Sequence, residues 1–218
     1  MIRIFEQYAL RALEKQEQLA QYLGDHAMEL DLDAGVVRFT GNIEFPFQVL
    51  GTESDNTLTW LWAWSEEQTE VPENLTQAAR ELRAWGEQNN LEEFTLPSID
   101  LDRADGTMFS LIASEVCSAS CYYRDQYEGG SLFVLLTGRA ITGQPGFDRA
   151  GLVRRFRDLT TLYEFDHRKA LSAYFRSKNL PWSQANMIGS GELANGERLV
   201  AEFNEKGRLR SINGEDVE

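Results

Sequence analysis

The sequence predicts an α+β protein: an antiparallel β-meander sheet covered by helices, followed by a smaller helix–helix–β-hairpin unit. Three observations carry that expectation. Between Thr57 and Ser65 the chain reads T-L-T-W-L-W-A-W-S, so Leu58, Trp60, Trp62 and Trp64 recur at the two-residue period of a strand and share one face. Four segments of this period follow one another from Met28 to Trp64, separated by short turns. On either side of them the apolar period changes to that of amphipathic helices.

Arg3 to Leu23 reads as the first helix, with Phe5, Tyr8, Ala12, Leu19 and Leu23 near a 3.6-residue period and Gly24 as its stop. Met28, Leu30 and Leu32 then alternate with acidic residues, Ala34-Gly35 turns the chain, and Val36 to Thr40 runs back. After Gly41-Asn42, the residues Ile43, Phe45, Phe47 and Val49 line a third strand. Pro46 donates no ladder bond, which predicts an edge or a bulge there. The tryptophan strand completes the meander.

A helix is predicted next, with Pro72 near its first position and Leu75, Ala78, Ala79, Leu82 and Trp85 on one stripe. Asp102 with Asp105 resembles a capping box opening a helix that runs to about Cys117. Cys121–Tyr127, Glu128-Gly129-Gly130 and Ser131–Gly138 form a hairpin whose second strand, apolar on both faces, belongs inside a sheet. Residues 1–140 make up this part.

Three glycines and Pro145 between Gly138 and Phe147 mark a linker. In residues 148–218, Asp148 and Asp166 cap two helices, with stripes Leu152, Phe156, Leu159, Tyr163 and Ala170, Leu171, Tyr174, Phe175. Short strands are expected around Met187, Leu199–Phe203 and Arg208–Ile212, turned by Asn195-Gly196 and Lys206-Gly207. The two parts form separate units or share one core.

The 218 residues, 42% hydrophobic, can bury a sizeable core. No stretch approaches the ~20 consecutive apolar residues of a membrane span, and the first residues lack a signal peptide's apolar core. A cytoplasmic protein with reduced Cys117 and Cys121 is expected, the two thiols packed at one helix end. A C-x3-C pair and two histidines make no zinc signature, so neither metal nor cofactor is expected. The net charge of −14 argues against nucleic acid, whose phosphates need a basic surface, and fits a basic protein partner. Charge is uneven: residues 1–147 carry 9 Lys/Arg against 24 Asp/Glu, and residues 148–178 carry 8 against 4.

Three candidate sites follow. Trp60, Trp62 and Trp64 would form an aromatic platform for a sugar, base or cation, or else the floor of the core beneath the helices, with Phe45, Phe47 and Trp85 as partners. The core reading is favoured, because a meander flanked by amphipathic helices needs such a face. Arg154 and Arg157 share a helical face while Arg155 points elsewhere. They would bind an anion, or pair with carboxylates of this acidic chain, which is the favoured reading. His167 beside Asp166 would act as a general base, or sit in a first helical turn behind an N-cap, again the favoured reading. Gly189-Ser190-Gly191 is no nucleophile elbow, because Ile188 stands where the first glycine is needed. No phosphate-binding glycine motif occurs, and enzymatic activity stays undecided.

Several segments together resemble a bacterial domain-of-unknown-function family: L-G-T at 50–52 with W-L-W-A-W at 60–64, L-x-x-A-D-G at 101–106 and Y-Y-R-x-x-Y-x-G-G-x-L-F at 122–133. D-H-R-x-A-L-x-A-Y-F at 166–175 and G-R-L-R-S-I at 207–212 complete the set, extending the resemblance over nearly the whole chain from about residue 25. It implies a bacterial, cytosolic context and no catalytic residue. Three functional expectations result: an uncharacterised, non-enzymatic, acidic protein-binding factor of antagonist or immunity type; a small-molecule-binding protein or hydrolase with a cleft lined by the tryptophans and arginines; and a homodimer.

Overall fold

The computed structural model describes residues 1–213 and the strand Glu215–Asp216. It contains two compact units: residues 18–144, and residues 1–17 together with 145–218. Helix α1 (Ile2–Leu23) contributes to both. Its first seventeen residues therefore group with the C-terminal part, where the sequence expectation placed them with the meander.

The 18–144 unit is built on a seven-stranded antiparallel sheet. Strands β1 (Met28–Asp31), β2 (Val36–Phe39), β3 (Ile43–Ser54) and β4 (Thr59–Trp62) form the expected meander, extended by a short strand β5 (Ser98–Asp100) that the sequence reading missed. The hairpin β6 (Cys121–Tyr127) and β7 (Gly130–Leu136) joins through β7, which pairs β3 along 47–54. Strand β7 lies between two neighbours, as its two apolar faces predict. The long β3 is the spine, pairing β2 through 43–46 and β4 through 51–54.

Pro46 does not put β3 at an edge, and the irregularity in the β3–β7 ladder lies later, between Val49 and Gly51. Pro46 is tolerated because it sits one residue beyond the last β3–β7 pair, Phe47 with Leu136. Its carbonyl accepts from the Thr137 N–H at 3.2 Å.

Two helices pack on this sheet: α2 (Gln77–Asn89) and α3 (Gly106–Val116). Pro72 opens a separate 3-10 turn, Glu73–Leu75, and α2 begins only at Gln77. The N-cap of α3 is Asp105, accepting from the Met108 N–H at 2.7 Å, and Asp102 stays in the preceding turn. Cys117 is the C-cap of α3 and Cys121 opens β6, so the thiols are not on one helix end. Burial pushes the Cys117 thiol up to about 12, which keeps it protonated and unreactive.

Trp60 and Trp62 are fully buried, as the core reading requires. Their partners differ from those expected. Trp60 meets Phe109 and Phe133 at centroid distances of 5.2 and 5.4 Å, and Trp62 meets Phe109 and Phe94 at 4.8 and 5.4 Å. Phe45 instead packs with Tyr22 and Phe39. Two glycines admit the Trp60 indole. A Cβ on Gly51 would lie 2.5 Å from the Trp60 ring and 2.4 Å from the Leu61 carbonyl, and one on Gly106 would lie 2.7 Å from Trp60 and 2.6 Å from Phe133.

In the other unit, α5 (Arg149–Leu162) and α6 (His167–Ser177) carry the predicted caps: Asp148 accepts from Gly151 N–H and Asp166 from Lys169 N–H. A four-residue helix, α4 (Arg139–Thr142), lies in the stretch expected to be linker and belongs to the 18–144 unit. Beyond α6 the chain forms five antiparallel strands where a hairpin was expected: β8 (Trp182–Ala185), β9 (Ile188–Glu192), β10 (Arg198–Phe203), β11 (Leu209–Ile212) and β12 (Glu215–Asp216). Met187 lies in the β8–β9 turn and not in a strand, after Asn186 at φ +52°. Phe175 stacks on Trp182 at 4.9 Å, and a Cβ on Gly191 or Gly189 would meet one of these rings, so the G-S-G segment is a strand under two aromatics.

Buried Glu14 ties α1 to this unit. It accepts from Phe147 N–H at 2.9 Å, Tyr174 O–H at 2.8 Å and Lys178 Nζ at 2.5 Å, and it pairs with Arg11. Burial by itself would raise its pKa, but Lys178, the Phe147 amide and Tyr174 together hold the carboxyl below its ordinary value.

The Trp60 contacts make a direct prediction. Gly51→Ala and Gly106→Ala are each expected to cost about 1–3 kcal/mol through overpacking. Gly143→Ala, whose Cβ would lie 3.5 Å from its nearest neighbour, is expected to stay within about 0.5 kcal/mol. Urea midpoints of the three variants check this.

Candidate functional site

Three loops of the 18–144 unit meet at one end of its sheet. The β3–β4 turn (55–58) and the β6–β7 turn (128–129) are joined by the Asp55 N–H donating to the Gly129 carbonyl at 3.0 Å. The loop after β5 joins them through the Leu101 N–H, which donates to the Leu58 carbonyl at 2.9 Å.

At the base of this tip lies Glu53, a buried carboxylate at the end of β3. It accepts from the Gly106 N–H at 2.6 Å, at the N-terminus of α3, where the helix dipole favours negative charge. Arg124 Nη2 approaches its other oxygen at 3.4 Å, while Arg124 Nε donates to Ser131 Oγ at 3.0 Å. The Arg124 guanidinium also lies 5.4 Å from the Phe133 ring centroid. Gly130 makes room: a Cβ there would fall 2.1 Å from the Glu53 carbonyl. The segments L-G-T, A-D-G, Y-Y-R and G-G-x-L-F therefore converge on Glu53 and Trp60.

Burial raises the Glu53 pKa. The Gly106 N–H and Arg124 oppose that shift, and the charges of Asp105 and Asp55 add to it. The Tyr127 phenol is likewise raised, by burial and then by Asp55 and Glu70. Burial is the main cause of both shifts, and the charge of Asp55 adds to each.

Two large apolar side chains stand exposed at this tip. Leu58, predicted to share the core face with the tryptophans, lies outside β4 in the turn, 64% exposed and at φ +53°. Tyr127 is 51% exposed. A left-handed conformation is uncommon for leucine, and here no burial of the side chain compensates for it. The sequence reading missed Glu53, Leu58, Arg124 and Tyr127 as site residues. The signal available was the set of family-like segments, whose glycines and charged residues meet only after folding.

The predicted site residues have other settings. Trp64 lies beyond β4 in a turn, half-buried, with the Arg83 guanidinium 4.4 Å from its ring centroid. Trp60 and Trp62 are inaccessible to a ligand. In the other unit, Arg154 pairs with Glu17 at 3.1 Å, and Arg155 shares that carboxylate at 2.6 Å. Lys169 pairs with Glu6 at 3.7 Å, so acidic residues of α1 answer the basic stretch. Arg154 and Arg157 are brought together, with Arg149, Asp158 and Asn213, around a shallow pocket of about 530 Å³.

His167 is buried in the first turn of α6 behind its Asp166 cap. The Leu209 N–H donates to its Nδ1 at 3.0 Å, and its Nε2 faces the Arg208 guanidinium, 3.3 Å from Nη1. Neither nitrogen is placed to act as a general base. Among the described residues, no group of three or more His, Cys, Asp or Glu is placed to hold a metal ion, and no helix is long and apolar enough to cross a membrane.

These features define the class: a two-unit α+β protein whose 18–144 unit gathers an acidic, partly apolar tip above a buried carboxylate. The chain belongs to the family of unknown function DUF6882, whose model matches residues 2–139. The match ends before the D-H-R and G-R-L-R-S-I segments, which lie outside it. No curated protein and no solved structure matches the chain.

His167 makes the C-terminal unit acid-sensitive. Burial, and then Arg208, pull its pKa from 6.5 to about 4, with Asp166 opposing. Between these values the unfolded chain binds a proton that the folded chain refuses. His167 thus contributes stability that is fully present above pH 6.5 and lost as the pH falls toward 4. The expected loss is about 2 kcal/mol after allowance for solvent screening. Urea unfolding across that window should show wild type losing this much more than His167→Gln; parallel curves would refute it.

Proposed function

We propose that this chain is a non-enzymatic, cytoplasmic protein-binding factor that engages a basic protein through the tip of its 18–144 unit, as an acidic antagonist or immunity-type protein. The single observation that carries the reading is the exposure of Leu58 and Tyr127 at the turns of this tip, with Asp55 and Glu70 acting on the Tyr127 phenol and Asp55 and Asp105 on Glu53. Charge distribution supports it. Residues 18–144 carry 6 Lys/Arg against 21 Asp/Glu, a net of −15, while the remaining residues carry 15 against 14, a net of +1.

An acidic surface of this kind speeds encounter with a basic partner and makes the association salt-sensitive. Tyrosine is a common anchor at interface centres, and its ring face attracts a lysine or arginine head group. Leu58 supplies an apolar contact on a backbone already held in place by the Leu101 hydrogen bond.

The test is capture of partners from native cytosol by wild type, Leu58→Ala, Tyr127→Ala and Leu162→Ala, the last an exposed leucine of the other unit. A basic protein should be retained at about 0.05 M salt and released at about 0.5 M, where charge is screened within a few ångströms. Leu58→Ala and Tyr127→Ala should each weaken retention about tenfold, as loss of a central anchor does, and Leu162→Ala should not. Capture of nothing at low salt, or capture indifferent to the tip variants, overturns the proposal. Size-exclusion with light scattering on the same samples reveals whether the occupant is a second copy of the chain.

A further inference from the structure

The 18–144 unit holds a second concavity whose chemistry differs from that of the tip. Its walls come from the loop after β4 (Trp64, Ser65, Glu66, Glu67), from α2 (Arg80, Arg83) and from the loop before β5 (Thr95, Pro97), and it encloses about 590 Å³. Arg80 and Arg83 are three residues apart and so lie on one face of α2.

Both guanidiniums are held in place by neighbours on their own side. Arg80 Nη2 pairs with Glu73 at 3.1 Å and its Nε donates to Thr76 Oγ1 at 3.1 Å. Arg83 Nε pairs with Glu87 at 3.4 Å while its guanidinium covers the Trp64 indole. These contacts orient the forks and leave each with further N–H donors, because a guanidinium carries five. The Trp64 indole stands in the same wall. The Trp64 indole Nε1 is buried and has no hydrogen-bond partner. An indole N–H can only donate, and a buried donor without an acceptor is costly. Two oriented guanidiniums match a carboxylate.

A simple anion does not fit the rest of the lining. Glu66 and Glu67 are exposed at the same pocket, and the ion pairs of Arg80 and Arg83 run to Glu73 and Glu87 instead. A monoanion would be repelled by this pair of carboxylates, and a bare cation would leave the remaining guanidinium N–H donors unused. A ligand bearing both charges satisfies each set.

We propose that this pocket binds a small zwitterion, a free α-amino acid. Its carboxylate is received by Arg80 and Arg83 beside the Trp64 ring, and its ammonium by Glu66 and Glu67. The proposal is independent of protein binding at the tip, which uses none of these residues.

Calorimetric titration of the whole chain with each of the common free amino acids tests it, with indole emission read in parallel. At least one amino acid should bind saturably. Its N-acetyl and carboxamide derivatives should each bind about tenfold more weakly or worse, as expected for loss of a charge-assisted contact. Arg83→Ala and Glu67→Gln should produce losses of the same size, and Trp64→Phe should abolish the emission change. Glu67 and Arg83 are exposed, so a far-ultraviolet spectrum matching wild type is expected for both variants. Absence of binding by any amino acid overturns the proposal. So does binding that survives blocking of either end, which would mark a plain anion or cation site.

Discussion

The close approach of the Trp60 indole to two glycines organises the 18–144 unit. Gly51 and Gly106 stand in different elements, one in the spine strand and one at the first turn of α3, and neither tolerates a Cβ beneath that ring. Their contact sets how α3 lies on the sheet. Because the Gly106 amide also donates to Glu53, the same close approach brings a helix N-terminus onto a buried carboxylate. Arg124 and Ser131, on the paired strands β6 and β7, then close the other side. Packing and electrostatics at this end of the sheet are therefore one construction.

The C-terminal unit solves a comparable problem differently. Glu14 carries a charge into an interior, where an isolated carboxylate would be very costly. It persists there because an amide, a phenol and an ammonium saturate it. Arg154, Arg155, Lys169 and Lys178 pair in this way with α1, through Glu6, Glu14 and Glu17. The excess negative charge of the molecule is that of the 18–144 unit alone.

Much of the architecture was legible from the amino-acid order. The meander, the β6–β7 hairpin and the caps Asp148 and Asp166 follow from two-residue periodicity, turn residues and short polar side chains, all local properties. So does the burial of Trp60 and Trp62. Elements without a local signature were misjudged: the three-residue strand β5 lacks a run long enough to show a period, and Leu58 continues the tryptophan alternation in sequence although its backbone turns left-handed. The candidate site was not legible at all. Glu53, Arg124 and Gly106 stand up to 71 positions apart and meet only through pairing of β3 with β7 and docking of α3.

The order of residues alone decided the fold class, the acidic balance and the identity of the apolar faces, because periodicity and charge are properties of the chain itself. Only tertiary structure decided which carboxylate is buried, which tryptophan meets a pocket and which leucine is left in water. Those outcomes depend on distances between segments remote in sequence, and no local preference encodes them.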